Sequence, residues 1–512
     1  TYRKSNAAWI KILPLRRNTM TGRIEKLISF SLQKVSANKG GGGQSTVQLY
    51  YAPTSVLSSG DWYKIAVTED GIFKLSYNFL KGQLGIDLDK IDPHNIRIYG
   101  NGGGMVPVLN STPRADDLVE ISVYIEGESD SKFDYNDYIL FYGQSQDRWT
   151  YTASDQRFHH QKNLFTDTTF YFITIGNTPG KRIQSQQSSS QTPTVVVTTF
   201  DDFKFIESDK YNLIKSGREW YGDAFDIQPV QDFTFVFPNH TAGSQAYLKA
   251  DFAARSFNGA TGSDFKIFYN NQQLQSLKIP GVPNDFTSPY CAIGGTTSLF
   301  NPVSDNLTIS INFSAVAQPA NGWLNYLEVN ATRNLTVAGS YTFFRNKSAV
   351  GNGNIAQYQI DNVIGSNYKI WDVTSHNNVM EQQFTLAGST AQFNLPADSL
   401  KEFIIFDNTA YKTATVIGKI ENQDLHALPQ ADLIIVTHPL FLDQSERLAD
   451  FHRQHDSLRV VVATTDQIYN EYSSGAQDIS GIRDFAKMFY DRATTAADLP
   501  RYLLIMGDGS YD

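Results

Sequence analysis

From residue 45 to residue 415, apolar residues recur at alternate positions in short runs broken by turn residues, and no helical period separates those runs. Such a stretch can bury its side chains only by stacking sheets face to face. The composition agrees: aromatics are 13% of the chain, with 27 Tyr and 33 Phe. The fold class expected is therefore multidomain, with β-rich antiparallel sandwiches over most of the chain.

Trp62–Val67 and Ile72–Leu75 alternate on either side of Glu69-Asp70-Gly71, which predicts a hairpin. Ile96–Tyr99, Val119–Ile125, Tyr138–Tyr142 and Phe170–Ile175 continue an N-terminal β domain over residues 45–180. A second β region, residues 195–415, is marked by Phe233–Phe237, Ala246–Phe252, Phe265–Tyr269, Leu307–Phe313, Ala391–Leu395 and Glu402–Phe406. The polar segment 184–194 between the two predicts a linker or exposed loop. Residues 1–44 are basic and weakly patterned, end in Gly40–Gly43, and predict an arm with a strand near Lys26–Leu32. No strict repeat period is visible.

The pattern changes near residue 425. Ala431–Val436 is a continuous apolar run, as a strand buried on both faces requires. Asp443 with Glu446 predicts the capped start of a helix to His455; Leu458–Ala463 a second buried strand; Gln467–Tyr472 a short helix. Asp478 opens a longer helix with Ile479, Ile482, Ala486 and Phe489 as its core stripe, and Leu503–Met506 a third strand. This β-α-β-α-α-β order is the first half of a parallel α/β domain over residues 425–512, and the chain reads as a fragment that stops inside that domain.

Composition excludes several functions. The net charge of −9 argues against general nucleic-acid binding, and no apolar run is long enough to span a bilayer as a helix. A single cysteine, Cys291, permits neither an intrachain disulfide nor a cysteine zinc site. No base neighbours Cys291 in sequence, so it reads as a packed small hydrophobe. Gly100-Asn101-Gly102-Gly103-Gly104 follows a strand without a following helix, so it is a loop and not a phosphate cradle. His438 ends the first α/β strand, where open parallel sheets place ligands, while His452 and His455 share a helix face without a carboxylate or metal-ligand pattern. Arg483 sits in the first turn of its helix, an unfavourable end for a cation, and predicts a partner carboxylate. Asp508 and Asp512 place oxygens like the start of a calcium loop, a weak candidate metal site against ordinary Asx-turn chemistry. Seven Asn-x-Ser/Thr sequons, at Asn110, Asn239, Asn306, Asn312, Asn330, Asn334 and Asn346, all fall in the β region.

Several strings together resemble one family. They are Leu57–Lys64, Ile98–Gly103, Phe133–Tyr142, Tyr368–Thr374, Asn422–His426, Ile468–Gly475 and Asp478–Phe485. The chain is similar to the N-terminal portion of type IX secretion system sortases in the gingipain-like C25 cysteine peptidases. The resemblance implies a caspase-like parallel sheet and a cell-surface location on the outer membrane of a Gram-negative bacterium. It implies removal of the C-terminal signal domain of exported cargo and transfer of that cargo, through a thioester, to anionic lipopolysaccharide. The implied partners are the outer-membrane β-barrel PorV, PorQ, PorZ and the cargo signal domains. The family's catalytic His-Gly and Cys are expected beyond Asp512, so no residue here is assigned as nucleophile or base. Two alternatives stay open: a non-catalytic surface adhesion module, and a glycan-binding sandwich using Trp62, Trp149, Trp220, Trp323 and Trp371.

Overall fold

The computed structural model describes the strands Leu15–Arg17 and Ile24–Lys26 and residues 51–257, 262–315, 319–365 and 367–507. The two N-terminal strands pair antiparallel within a unit of their own, Thr1–Tyr50. The strand expected at 26–32 meets the described residues only at Lys26.

Within Tyr51–Asp512, the first sandwich faces the sheet 415–420/62–67/169–175/96–99/120–121 with the sheet 71–76/138–143/124–126. Ile65, Ile98, Ile139, Phe141 and Tyr171 fill the space between them. Trp62–Val67 and Gly71–Ser76 do not form the expected hairpin. They lie in opposite sheets, and the turn at residues 68–70 carries the chain across the core. Alternation cannot distinguish a turn within a sheet from one between sheets, because both leave the same residues facing inward.

The outer face of the smaller sheet is also covered. Ile72, Leu140 and Tyr142 pack on Trp371, Ile404 and Phe406 of the sheet 184–186/380–382/369–372/402–406/341–345 and on Val373 just beyond it. Burial on both faces is why Tyr138–Gly143 reads Tyr-Ile-Leu-Phe-Tyr-Gly without polar alternation. That third sheet faces 195–197/355–360/390–396/385–387 over Phe344, Tyr358, Phe393 and Phe403, so four sheets stack in sequence. The segment 184–194 is thus not a free linker. Gln184–Gln186 adds a parallel edge strand, and the Ser188 hydroxyl accepts from the Asn394 amide at 2.9 Å. A polar edge strand carries no apolar alternation and is invisible to that signal.

A separate sandwich lies between residues 199 and 334. Its sheets, 199–207/320–334/246–256/292–300 and 230–236/306–315/263–269/272–279, enclose Phe225, Phe252, Phe265 and Phe313. Phe252 and Phe265 stack at 4.2 Å. Residues 195–415 therefore make two sandwiches, and Thr415–Ile420 returns to pair with Trp62–Ala66 of the first. Trp62, Trp323 and Trp371 are buried, Trp149 stacks on Phe203 at 4.1 Å, and only Trp220 among the five is exposed. Buried tryptophans contribute to cores rather than to an exposed sugar platform.

The C-terminal region is a parallel sheet ordered 460–464/433–437/502–506. Helices α1 (Leu442–His455), α2 (Thr465–Tyr472) and α3 (Ile479–Arg492) connect its strands. Asp443 does not cap α1: a 3-10 turn at Pro439–Phe441 runs directly into it, and the His438 ring accepts from the Leu440 amide at its head. The capping box belongs instead to Thr464 and Gln467 on α2. On α3, Ile482, Ala486 and Phe489 pack in the core as expected, joined by Phe485 and Met488, whereas Ile479 is 40% exposed.

Phe265 is fully buried and touches three other phenylalanines. Phe265→Ala should destabilise the 199–334 sandwich by about 3–5 kcal/mol, read as a lowered urea midpoint with an unchanged slope.

Candidate functional site

Residues with strongly perturbed chemistry gather where the first sandwich meets the α/β region. The chain leaves Ile420 and is fastened at once to the turn at 54–60. The Asn422 amide donates to the carbonyls of Leu57 and Gly60, and Asp424 accepts from the Ser55 amide at 2.8 Å. This delivers His426 into a fully buried position.

There the His426 Nδ1 lies 2.5 Å from Glu471 Oε2, and its Nε2 faces Asp116 Oδ1 at 3.5 Å. Its ring stacks on Tyr472 at 4.9 Å and 6°. Glu471, also fully buried, accepts from Gln423 Nε2 and the Leu425 amide, both at 2.9 Å. Burial alone would depress the His426 pKa, but the two carboxylates overcome it and push it up to about 10. His426 is thus a buried imidazolium held by Glu471. Nearby, the Lys64 ammonium donates to Asn470 Oδ1 and the Gly475 carbonyl, both at 2.9 Å, and lies 4.2 Å from the Phe170 ring centre. Burial lowers its pKa to about 8.

The glycine-rich loop forms the other half of the junction. The Asn101 amide donates to Ser474 Oγ at 3.0 Å, and the Val106 amide to Asp478 Oδ2 at 2.8 Å. Asp478 also caps α3 through the Ser480 amide at 2.7 Å. Glycine is required because a Cβ on Gly103 would sit 1.6 Å from the Ser145 carbonyl oxygen, and Gly102 has φ +78°. Arg483 meets a neighbouring carboxylate, Asp484 at 2.9 Å, but its guanidinium also reaches across to the carbonyls of Pro107 and Val108. Asp484 in turn receives Arg114 at 2.6 Å. A groove of about 270 Å³ between this loop and α3 is lined by Met105, Val106, Val108, Phe165, Ile479 and Arg218. The cation at the start of α3 thus has the expected carboxylate partner, Asp484, and carbonyl acceptors from the 101–108 loop besides.

The other sequence candidates lie elsewhere. Cys291 is half-buried beside Tyr221, Ala253 and Trp323 in the 199–334 sandwich, where burial raises its thiol pKa. His438 caps the 3-10 turn. His452 and His455 do have a carboxylate partner: both Nδ1 atoms face Asp456, at 2.6 and 2.8 Å. Asp508 and Asp512, and any calcium they would hold, fall outside the described residues. Among the described residues, no three His, Cys, Asp or Glu side chains gather as a metal site.

Residues 426–512, which begin at the buried imidazolium, match the model of peptidase family C25. The fold is similar to that of the dimeric latent PorU from Porphyromonas gingivalis. The two superpose with a TM-score of 0.76 at 23% identity over 89% of this chain and 42% of that one. The chain thus spans less than half the length of the protein it superposes on. The C-terminal CBM6 of LamC from Zobellia galactanivorans aligns over 25% of this chain and 98% of that one, at 12% identity and a TM-score of 0.15. No curated protein matches the chain. No helix among the described residues is long and apolar enough to cross a membrane.

Glu471→Gln removes the counter-charge of a buried imidazolium and should cost about 3–5 kcal/mol in chemical unfolding at pH 7. The pH profile gives a second test. A raised histidine pKa contributes stability that is complete below the unfolded value of about 6.5 and is lost as pH rises toward about 10. Lys64, with a lowered pKa, acts oppositely above about pH 8. The difference in stability between the wild type and His426→Gln should therefore shrink steadily from pH 6.5 to 10, with Lys64 common to both and cancelling.

Proposed function

We propose that the chain is the N-terminal portion of a type IX secretion sortase of the PorU kind, displayed on the cell surface at the outer membrane. The observation that carries this reading is the coincidence of two independent findings: a C25 match confined to 426–512, and a PorU-like fold over 89% of the chain. In the full sortase a cysteine thiolate paired with histidine attacks the carbonyl at the cargo's signal-domain boundary, and backbone amides hold the oxyanion. An amine of anionic lipopolysaccharide then takes the acyl group from the thioester. Both catalytic side chains are assigned outside residues 1–512, so the chain alone is inactive.

The three sandwiches serve as the docking body, with PorV, PorQ, PorZ and cargo signal domains as the partners. The fastened junction supports this division of labour. Hydrogen bonds from Asn101, Val106, Asn422 and Lys64 join the first sandwich and the parallel sheet into a single block, so that a partner held by the sandwich positions the sheet.

Immobilised chain should retain a purified PorV-type barrel or a cargo signal domain in biolayer interferometry, and should release no product from a signal-domain junction peptide. Retention of neither partner removes the docking role, and turnover of the peptide removes the assignment of the catalytic pair. A reading frame continuing without a His-Gly and a later Cys at strand ends would favour the adhesion module instead.

A further inference from the structure

Between strands 138–143 and 169–175 of the first sandwich, the chain extends a two-stranded hairpin, Arg148–Thr152 with Arg157–Gln161. It lies across the outer face of the 199–334 sandwich. Trp149 stacks on Phe203 at 4.1 Å, His160 on Phe205 at 4.2 Å, and the Asn330 side-chain amide both accepts from and donates to the Phe158 backbone. This is an arm of one sandwich laid on another.

An unbroken chain of acid and imidazole groups runs through that contact. Asp155 Oδ2 lies 2.7 Å from His159 Nε2, and His159 Nδ1 lies 2.8 Å from Glu328 Oε1. Glu328 Oε2 lies 2.8 Å from His160 Nδ1, and His160 Nε2 lies 2.7 Å from Glu207 Oε2. The centre is dry: the side chain of Glu328 is 1% exposed and that of His160 4%. Each ring therefore presents both nitrogens to carboxylate oxygens. A neutral imidazole has one N–H and one lone pair, and an ionised carboxylate only accepts. Four such contacts are satisfied together only when both rings are imidazolium, or when protons sit on the acids between them.

We propose that Asp155, His159, Glu328, His160 and Glu207 form a pH-operated latch that holds the 148–161 hairpin of the first sandwich onto the 199–334 sandwich and loosens it as the medium becomes alkaline. Two cationic rings bridged by one buried carboxylate attract both flanking acids. Removing a proton from His160 turns one of its contacts into a lone pair facing a carboxylate, in a site too dry to screen it.

The other charges around the latch do not substitute for it. Lys162, just past the hairpin, is paired with Asp209 at 2.9 Å. Asp147 accepts from the Asn163 amide, Asp251 from Asn325, and Glu219 from the Tyr221 hydroxyl. Arg157 lies over the Tyr247 ring and Lys249 over Tyr326. Lys249 lies opposite Glu328 on the neighbouring strand, and although burial opposes its charge, its bond to Tyr326 leaves its pKa raised, so it stays charged; Arg218 lines the same cavity as His160, Glu207 and Glu328.

The direction follows from linkage. Burial disfavours the His160 cation, but the hydrogen bonds to Glu207 and Glu328 outweigh it and the pKa is raised. The latch's contribution is then complete below about pH 6.5 and is lost as pH climbs through the raised value. Burial likewise opposes the Glu328 anion, yet the His160 side-chain and backbone bonds leave its pKa lowered. That contribution is present above about pH 4.3 and fails only in acid.

The test is hydrogen–deuterium exchange of the whole chain from pH 5.5 to 9.5, corrected for intrinsic rates and read on peptides spanning 148–161. Protection of the hairpin should fall by about tenfold for each unit by which the His160 pKa is raised, while peptides of the 263–269 strand stay constant. In Glu328→Gln, the central negative charge between the rings is removed while the side chain keeps its size, so the loss of hairpin protection should begin at lower pH. Asp155→Asn, at the exposed end, tests the same idea without touching the buried centre: the loss of protection should begin at lower pH. A wild-type hairpin equally protected at pH 5.5 and 9.5, or an alkaline loss that both variants keep unchanged, overturns the latch.

Discussion

The antiparallel pairing of Thr415–Ile420 with Trp62–Ala66 is the contact from which the arrangement of the molecule follows. It closes the first sandwich with strand segments from opposite ends of the described body. The chain that builds the later strands, from residue 184 to residue 406, must leave that sandwich and come back, so the two later sandwiches are insertions into the first. The returning strand then ends within reach of the turn at 54–60, and Asn422, Gln423 and Asp424 bond to it at once. The parallel sheet has no freedom to begin anywhere else.

That constraint explains why ionisable groups are buried at the junction. A sheet edge and a helical layer that meet face to face leave polar backbone and side chains in a space too tight for water, and each needs a fixed partner. Glu471 gathers three donors, from Gln423, Leu425 and His426. Asp478 serves both a loop amide and the head of α3. Such pairs add less net stability than the apolar layers do, but breaking one member is expensive. They therefore fix geometry: the loop at 101–108 and the start of α3 can meet in one register only.

Much of the architecture was legible because periodicity reports burial directly. The continuous run at Leu433–Thr437, the stripe of α3 and the Asp478 cap, and the strands of the 199–334 sandwich follow from local chemistry. What escaped has a physical reason in each instance. Ala320–Asn334, the longest strand, carries Gly322, Asn325, Asn330 and Asn334, and Asn330 bonds to the 148–161 hairpin rather than to solvent. The inter-sheet turn at 68–70 and the return of 415–420 are matters of topology, which a period-two pattern does not encode. His426 gives no local signal because its partners, Asp116 and Glu471, lie far along the chain in opposite directions.

The same reasoning distinguishes the two histidine sites. At His426 the ring is enclosed by one carboxylate within hydrogen-bonding reach, a stacked tyrosine and the rest of the core, so its proton is held across the neutral range and the contact behaves as a permanent fastening. At His159 and His160 the charge is shared along five groups with one end in solvent: the Asp155 side chain is 42% exposed. Water reaches that end, and a hairpin has far less apolar surface to keep it seated than a sandwich has. One junction is built to stay closed while the other sits on an element light enough to move. The α/β region is therefore held to the first sandwich by buried contacts, and the proposed latch lies on the arm that reaches the second.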